Sequence, residues 1–418
     1  MYARAAPFPT MEAMETTVRN SLSEGLAGAV LHVGDRHRTT DERAYGYQRR
    51  YDGMVLRPEP ERMYADSMAD LASLTKVFGT LPLMHQLVDD QTLRIDDPVA
   101  RYLPALDTGD KRHIRLRDLM GHTAFPDGVA FHDPARAGDL YSLDRTKTMQ
   151  LLGRVTMDAL PGTRTAYSDL NFMALGAVIE RVTGQRLDDA ATARIYAPMR
   201  LSRTCYQPLR HGFAARDCMA SERCGNTRDG QVSFPGIRTH TLQGEVHDEK
   251  AFHAMGEVSG HAGLFSTASD LGRLCRLMLN GGRHGDFTLY SPETVALFRE
   301  TFNLDRSFAL GWRLPTEATS HLFRKLLPRH RQPGEVVAHT GWTGQCAVLD
   351  FASGRYLLLL TNKKHGLVDP VRAGHLNTFR GDNTPAGRYG PVVEQFVEGV
   401  LLETGESSAP PPGARGER

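Results

Sequence analysis

The sequence predicts a mixed α/β fold of the α+β type, in which an antiparallel sheet is flanked by helices and carries an inserted all-helical lobe. Strand patterns stand near both ends of the 418-residue chain, whereas patterns with helical spacing occupy its middle. Strands from both ends can join in one sheet when the segment between them packs as a separate layer. The elements that support this prediction are taken below in chain order.

The N-terminal part supplies one helix and two strands. Residues 11–23 are predicted to form an amphipathic helix, because apolar residues recur on one side. A strand is predicted over 27–33, followed by the turn signal Gly34-Asp35. A second strand over 43–48 is expected to pair back on the first strand as a hairpin.

The middle of the chain is predominantly helical. The first helix of this part is predicted to begin just before Ser73, which would lie in its first turn, and Pro82 should kink it. A second helix over 171–182 is predicted to stop at Gly184. Residues 203–250 show little periodicity, and irregular segments of this length often line functional sites.

The C-terminal part returns to strand patterns. Three strands are predicted over 336–340, 345–350 and 355–361, and a helix over 391–402 closes the fold. We therefore expect residues 1–402 to form one catalytic unit with two lobes. Residues 1–65 and 260–402 are assigned to a sheet lobe, 66–259 to a helical lobe, and 403–418 to a disordered tail.

Composition excludes several classes of protein. The formal net charge is +1, so the chain lacks the basic footprint of a nucleic-acid-binding protein. No apolar run approaches the roughly 18 residues of a membrane span, and no secretory signal is visible at the start. The five scattered cysteines are typical of thiols in a reducing compartment. We expect a cytoplasmic protein with no membrane or nucleic-acid partner, no cofactor and no metal.

Ser73 and Lys76 are the first candidates for catalysis. Positions i and i+3 of a helix lie on the same face, so Lys76 could reach the hydroxyl of Ser73. A serine needs a neighbouring base to become a nucleophile, and a lysine can act as that base only if its pKa is lowered. Taken alone, the pair is slightly better explained as an ordinary helix turn with a solvated ammonium.

Two further stretches carry candidate residues. Tyr167-Ser168-Asp169 precedes the helix over 171–182, where a tyrosine can present its phenol to a pocket or pack under the loop. His339-Thr340-Gly341 stands at the end of a predicted strand, and Gly341 permits a close approach of the backbone. Each stretch alone has an ordinary structural explanation.

In this order, Ser73-x-x-Lys76, Tyr167-Ser168-Asp169 and His339-Thr340-Gly341 resemble the three motifs of the penicillin-recognising serine hydrolases. The similarity is greatest to the class C β-lactamase-related branch of esterases, peptidases and acyltransferases, and it covers roughly residues 10–402. The resemblance implies a two-lobed fold of the β-lactamase/transpeptidase type with the active site between the lobes. It makes Ser73 the nucleophile.

The resemblance also implies roles for other residues. Lys76 and Tyr167 would share the proton transfers, and which of them is the first base stays open. The backbone N–H groups of Ser73 and Trp342 would form the oxyanion hole. His122 and Gly341 match positions close to the site.

Two positions depart from the family pattern. His339 stands where lysine is usual, and its ordinary pKa makes it largely neutral at pH 7. Asp169 stands where asparagine is usual, and a carboxylate close to Lys76 should raise the pKa of that lysine. Asn171 is the candidate for supplying the missing amide.

We therefore predict a cytoplasmic serine acyl-enzyme hydrolase or acyltransferase, an esterase or biosynthetic transacylase, with a small-molecule ester or amide substrate. An amine is the possible acceptor, and the oligomeric state is not predicted. One alternative is a β-lactamase or D-alanyl peptidase, which the neutral His339 disfavours. The alternative of another class is a non-catalytic binding protein on the same fold.

Overall fold

In a computed structural model of the protein, the described residues are 7–225, 232–315, 332, 334–369 and 379–405. The strands are β1 (Gly28–Asp35), β2 (Thr39–Asp52), β3 (Val55–Arg62), β4 (Ala69–Asp70), β5 (Cys205–Tyr206), β6 (Ala220–Glu222), β7 (Leu242–Gln243), β8 (Leu264–Ser266), β9 (Arg283–His284), β10 (Phe287–Thr288), β11 (Val336–Thr340), β12 (Gln345–Asp350) and β13 (Arg355–Thr361). The α-helices are α1 (Met11–Ser23), α2 (Leu81–Asp89), α3 (Leu116–Met120), α4 (Pro134–Ala137), α5 (Arg145–Leu151), α6 (Asp169–Thr183), α7 (Leu187–Ala191), α8 (Ala268–Leu279), α9 (Pro292–Leu297), α10 (Arg380–Asn383) and α11 (Gly390–Thr404).

The main sheet has six antiparallel strands in the order β11-β12-β13-β1-β2-β3. β1 and β13 are neighbours, so strands from both ends of the chain meet at the centre of the sheet, as predicted. Side chains alternate between its faces. Leu31 and Leu357 pack in the core that includes residues of α1 and α11, whereas Val30 and Leu358 pack in the core that includes residues of α8.

The fold is the predicted mixed α/β architecture, an antiparallel sheet flanked by helices. The inserted segment contains short strands as well as helices, because β4, β5 and β8 form a small sheet and β6 pairs with β7. These ladders are only two or three residues long, too short for an alternating pattern in the sequence. The division into two lobes stays a prediction.

The helix after Ser73 is irregular, as the proline in it predicts. A π-helical turn, Lys76–Thr80, precedes α2, and the N–H of Leu81 donates to the carbonyl of Lys76. Pro82 has no N–H and cannot close the ordinary hydrogen bond four residues back. The wider π turn accommodates this loss, and such turns are frequent at functional sites.

Near the C-terminus, the observed bounds differ slightly from the predicted ones. Helix α11 runs to Thr404, two residues past the predicted end, and residues 406–418 of the predicted tail lie outside the described residues. All five cysteines are described, and none of them forms a disulfide. Within the described part of the chain, every helix is too short or too polar to span a bilayer.

Candidate active site

Ser73 stands on a tight turn between β4 and the buried helix, whose first residue is Leu74. The helix therefore begins just after Ser73 and not just before it, as the sequence predicted. Ala72 adopts a left-handed conformation with φ of 44°, and its N–H donates to Oδ1 of Asp70 at 2.8 Å. The N–H of Leu71 donates to the carbonyl of Leu264 at 2.9 Å and fixes the turn to β8. Among the described residues, the N–H of Ser73 has no acceptor. It points from the start of a helix, where the helix dipole stabilises negative charge.

The ammonium group of Lys76 joins three segments that are distant in sequence. Its Nζ is fully buried and donates to Ser73 Oγ at 2.9 Å, to Asp169 Oδ1 at 2.9 Å and to the carbonyl of His261 at 3.2 Å. The ring of Tyr167 lies 4.9 Å from the same nitrogen. The structure therefore brings Ser73, Lys76, Tyr167 and Asp169 together.

Interactions between charged groups determine the protonation states of Lys76 and Asp169. Burial by itself lowers the pKa of Lys76, but the interactions with Asp169 and Tyr167 outweigh it and raise that pKa above its ordinary value. Burial would likewise raise the pKa of Asp169, yet Lys250 and Lys76 hold it well below its usual range. Lys76 is therefore an ammonium and Asp169 a carboxylate at neutral pH, as the sequence predicts for a close pair.

The second motif ends where α6 begins. Ser168 caps the helix, because its Oγ accepts from the N–H of Leu170 at 3.2 Å and donates to the carbonyl of Pro126 at 2.7 Å. The cap starts the helix at Asp169, two residues before the predicted position, and places the carboxylate in the first turn. Tyr167 precedes the cap and faces the cleft.

His122 and Asn171 lie behind Tyr167. The His122 ring is fully buried, 4.5 Å from the Tyr167 ring, and its Nδ1 accepts from the N–H of Ser168 at 3.2 Å. Burial, with Lys76 and His339 nearby, lowers the His122 pKa well below its usual value. The Asn171 side chain accepts from the N–H of Phe125 at 3.0 Å and contacts His122 Nδ1 at 3.3 Å. Asn171 therefore holds the 122–125 loop and does not supply the missing amide, which corrects the sequence interpretation.

The third motif packs directly against the Ser73 turn. A Cβ on Gly341 would lie 2.5 Å from the carbonyl oxygen of Leu71, so only glycine allows this approach. The hydroxyl of Tyr389 donates to the carbonyl of Gly341 at 3.0 Å. Trp342 follows at the rim of the cleft, and this residue is 52% exposed. Its role as an oxyanion donor stays a prediction.

His339 is neutral in this environment. Its Nδ1 lies 3.0 Å from the carbonyl of Thr340, and Nε2 has no hydrogen-bond partner among the described residues. Burial, with Arg313 and Lys76 nearby, lowers its pKa well below the usual value. The ring centre lies 6.0 Å from that of Tyr167. The structure thus agrees with the neutral form that the sequence predicts.

The cleft above Ser73 has a volume of about 500 Å³ and more cationic than anionic side chains in its lining. Besides Ser73, Tyr167, His339 and Trp342, the charged residues that line it are Arg313, Lys363, Lys364, Arg388 and Asp382. The backbone of Arg313 is hydrogen-bonded to that of Ala338. The Arg313 side chain extends into the cleft, and its guanidinium carbon lies 5.0 Å from the centre of the Tyr167 ring. Sequence reasoning missed these cations, because they belong to no recognisable motif.

Asp169, Asp248 and His261 have the donor types of a metal site, with ligand atoms within 4.8 Å of one another. Both oxygens of Asp169 already bind ammonium groups, Lys76 at 2.9 Å and Lys250 at 2.7 Å. The Nε2 of His261 lies 3.0 Å from Asp248 Oδ1. Lysines therefore supply here the positive charge that a cation would bring.

Comparison with known proteins assigns the class of this site. A family model described as Beta-lactamase matches residues 12–379. The chain belongs to this family, and it is an enzyme of the family's serine hydrolase type.

Individual relatives are similar over nearly the whole chain. The chain is 39% identical over 408 residues to an "N-acetylmuramyl-L-alanine amidase" of Bacillus subtilis (strain 168), covering 95% of this chain and 91% of that protein. It is 38% identical over 390 residues to a "Putative D-alanyl-D-alanine carboxypeptidase" of Escherichia coli (strain K12), covering 91% and 88%. The solved structure of EstCE1, "a hydrolase with promiscuous acyltransferase activity", matches with a TM-score of 0.66 and 22% identity, covering 93% and 98%; it shows the shared fold.

Proposed function

We propose that the protein hydrolyses an amide bond of a small substrate through an acyl-enzyme on Ser73, and that the leaving amine carries a carboxylate. The observation that carries this proposal is the placement of Ser73 Oγ, 2.9 Å from a buried ammonium, in a cleft lined by Arg313 and Arg388. Lys363 and Lys364 also line it, but both are paired with Asp382. Substrate carboxylates pair well with such cations. The names of the two relatives, an amidase and a carboxypeptidase, favour amides of the peptidoglycan type.

The proposed reaction has two steps. The Ser73 oxygen attacks the carbonyl carbon while Tyr167 relays the proton: its phenol oxygen accepts the Ser73 proton as the phenol hydrogen passes to the amide nitrogen. Lys76 is already protonated and cannot accept the proton. The oxyanion lies against the N–H groups of Ser73 and Trp342. The C–N bond then breaks, the amine leaves with the relayed proton, and water hydrolyses the acyl ester to release the acid and regenerate Ser73.

The cations of the cleft bear on the alternative functions that the sequence left open. The neutral His339 had disfavoured a peptidase, because the usual lysine at that position helps to hold a substrate carboxylate. Arg313 lies beside Tyr167 and could hold the same group. This favours the D-alanyl peptidase alternative, while an esterase or a transacylase with an amine acceptor, and the cytoplasmic location, stay predictions.

A pair of substrates tests the proposal. An N-acylated D-alanyl-D-alanine peptide should be cleaved with a kcat/KM about 10–100-fold higher than its C-terminal carboxamide, because a charge-assisted contact contributes about 1.5–3 kcal/mol. Arg313→Gln should narrow this ratio, and Arg112→Gln, at an exposed surface position, should leave it unchanged. Equal cleavage of acid and carboxamide would contradict the proposed carboxylate.

The competing activity has its own readout. A p-nitrophenyl acyl ester is supplied with and without an added amine, and the products are identified by mass spectrometry. Acid as the main product supports hydrolysis. Amide formation in excess of acid would show that the acyl-enzyme prefers transfer, and the proposal of a hydrolase would fail.

A further inference from the structure

Two lysines share one carboxylate beneath the nucleophile. Lys76 Nζ lies 2.9 Å from Oδ1 of Asp169, and Lys250 Nζ lies 2.7 Å from Oδ2. The three side chains are 0%, 17% and 18% exposed for Lys76, Lys250 and Asp169. These three groups, the Lys76–Asp169–Lys250 triad, together carry one net positive charge, counted as two ammonium groups and one carboxylate. The neighbouring Asp248 carboxylate is outside the triad and contacts the His261 ring at 3.0 Å.

The backbone around Lys250 is fixed to the same support as the Ser73 turn. The N–H of His247 donates to Oδ2 of Asp70 at 2.6 Å, and the other oxygen of Asp70 accepts from the N–H of Ala72. Asp248, between His247 and Lys250 in one segment, contacts the ring of His261 at 3.0 Å. Lys250 is therefore held in register with the nucleophile and does not extend loosely into solvent.

The charge of the triad depends on Lys250. An asparagine in place of Asp169 would be neutral, and Lys76 alone would then provide one positive charge. A carboxylate with Lys76 alone would cancel that charge. Lys250 restores the positive charge of the triad next to the Ser73 oxygen, on which negative charge develops as its proton leaves. Positive charge that is preorganised beside this oxygen lowers the barrier.

We propose that Lys250 is a positioning residue of the active site, which offsets the charge of Asp169 so that the triad keeps one positive charge beside the Ser73 oxygen. The inference rests on the proposed function only in taking Ser73 as the nucleophile. It does not depend on the substrate. Its test can therefore use a probe that any nucleophilic serine attacks.

A fluorophosphonate supplies that probe. The Ser73 oxygen displaces fluoride from phosphorus, and its proton leaves with the fluoride as HF, so that a single phosphonyl group is added to the protein mass. The second-order labelling rate is measured by intact mass for the wild type, Lys250→Met, Asp169→Asn and the double variant. Each protein is first checked for its circular dichroism spectrum and melting temperature.

The double variant carries the decisive prediction. Lys250→Met should label at least about 10-fold more slowly than wild type, because the triad becomes neutral. Combining it with Asp169→Asn restores one positive charge, and the double variant should recover to within about threefold of wild type. Rate losses that simply multiply in the double variant would overturn the proposal. If Lys250→Met does not fold, a double variant slower than a tenth of wild type overturns it equally.

Two controls separate charge from structure. Lys250→Arg keeps the charge and should label within about threefold of wild type, and a loss as large as that of Lys250→Met would overturn the proposal. Lys147→Met removes a charge from an exposed position and should change nothing. A loss as large as that of Lys250→Met would make the effect one of overall charge and would overturn the proposal.

The pH profile gives an independent readout. Without Lys250 the pKa of Asp169 should rise, and a protonated Asp169 is neutral as asparagine is, so the labelling rate of Lys250→Met should recover toward that of wild type as the pH falls through this raised pKa. The double variant has no carboxylate at position 169 and should keep a constant rate ratio to wild type. Among the described residues, the charged or titratable groups that interact with the triad are Tyr167, Asp248, His261, Asp127, His122 and His339. A Lys250→Met variant whose rate relative to wild type does not recover at low pH would contradict the proposal. A wild type that is not labelled at all would remove Ser73 as the nucleophile, and this inference with it, whereas labelling without peptide cleavage would contradict only the proposed substrate.

Discussion

Acid should destabilise this protein well above the pH at which carboxylates titrate. Four histidines in the described part of the chain are at most 2% exposed and have lowered pKa values, namely His85, His122, His339 and His365. Burial is the largest cause in each case. For His85 and His365 the pKa falls to about 3.

The hydrogen bonds explain why these rings stay neutral. Nε2 of His365 accepts from the N–H groups of Arg50 and Tyr51 at 2.9 and 3.1 Å, so a proton there would break both bonds. The ring of His85 lies 3.9 Å from that of Phe298, and neither of its nitrogens has a partner among the described residues. A charge on this ring would have no hydrogen bond to stabilise it.

The sign and size follow from linkage. A histidine in the unfolded chain binds a proton below about pH 6.5, whereas these four do not while folded, so their contribution to stability is present above pH 6.5 and is lost as pH falls toward their folded values. At pH 5.5 the loss is about 1.4 kcal/mol for each, roughly 6 kcal/mol for the four. Burial raises the pKa of Asp70, which acts in the opposite direction, so this sum is an upper bound.

Urea unfolding at pH 7.5 and 5.5 measures the effect. We expect a lower midpoint at pH 5.5 with an unchanged slope. His85→Phe, which keeps an aromatic ring in the same core, should remove about a quarter of the pH dependence, and His37→Gln, at an exposed position, should remove none. Equal midpoints at the two pH values would refute the neutral-histidine interpretation.

The other predictions concern the reaction. Ser73→Ala should abolish the mass shift with a fluorophosphonate while the melting temperature stays close to that of wild type; a persisting shift would place the nucleophile elsewhere. Lys76→Met should lower kcat by about 10²–10³-fold in an ester assay, because it removes the ammonium 2.9 Å from the Ser73 oxygen, and activity near wild type would exclude a role for this charge. Gly341→Ala should lower kcat about 10-fold, because its Cβ must move at least 0.5 Å, from 2.5 to 3.0 Å, away from Leu71. Gly366→Ala, with 3.3 Å of space, is the control.

The strands and helices that could be predicted are those with long, regular patterns. The strands β11, β12 and β13 have the predicted bounds, and α1 does as well. β3 was not predicted, because Pro58 and Pro60 interrupt it and prolines are tolerated only at a sheet edge. The pairing partners of β4, β5 and β8 lie far apart in sequence, and no local pattern indicates them.

The residues of the site likewise divide into those that the sequence predicted and those that it did not. Ser73, Lys76, Tyr167 and Asp169 stand in motifs, and the structure places them around one ammonium group. Lys250 was not predicted, although it lies at the end of the irregular segment that was expected to line the site. Its partner is 81 positions away, the difference between 250 and 169, and only folding brings the two together.

The two departures from the family motifs follow one rule. A carboxylate at Asp169 adds a negative charge, and Lys250 offsets it from another loop. A neutral His339 removes a positive charge, and Arg313, hydrogen-bonded through its backbone to the residue before His339, brings one to the same cleft. Electrostatic stabilisation depends on where a charge lies and not on which segment carries it. Other segments can therefore bring the charge that a motif residue lacks, so the substrate preference of this protein must be judged from the whole cleft.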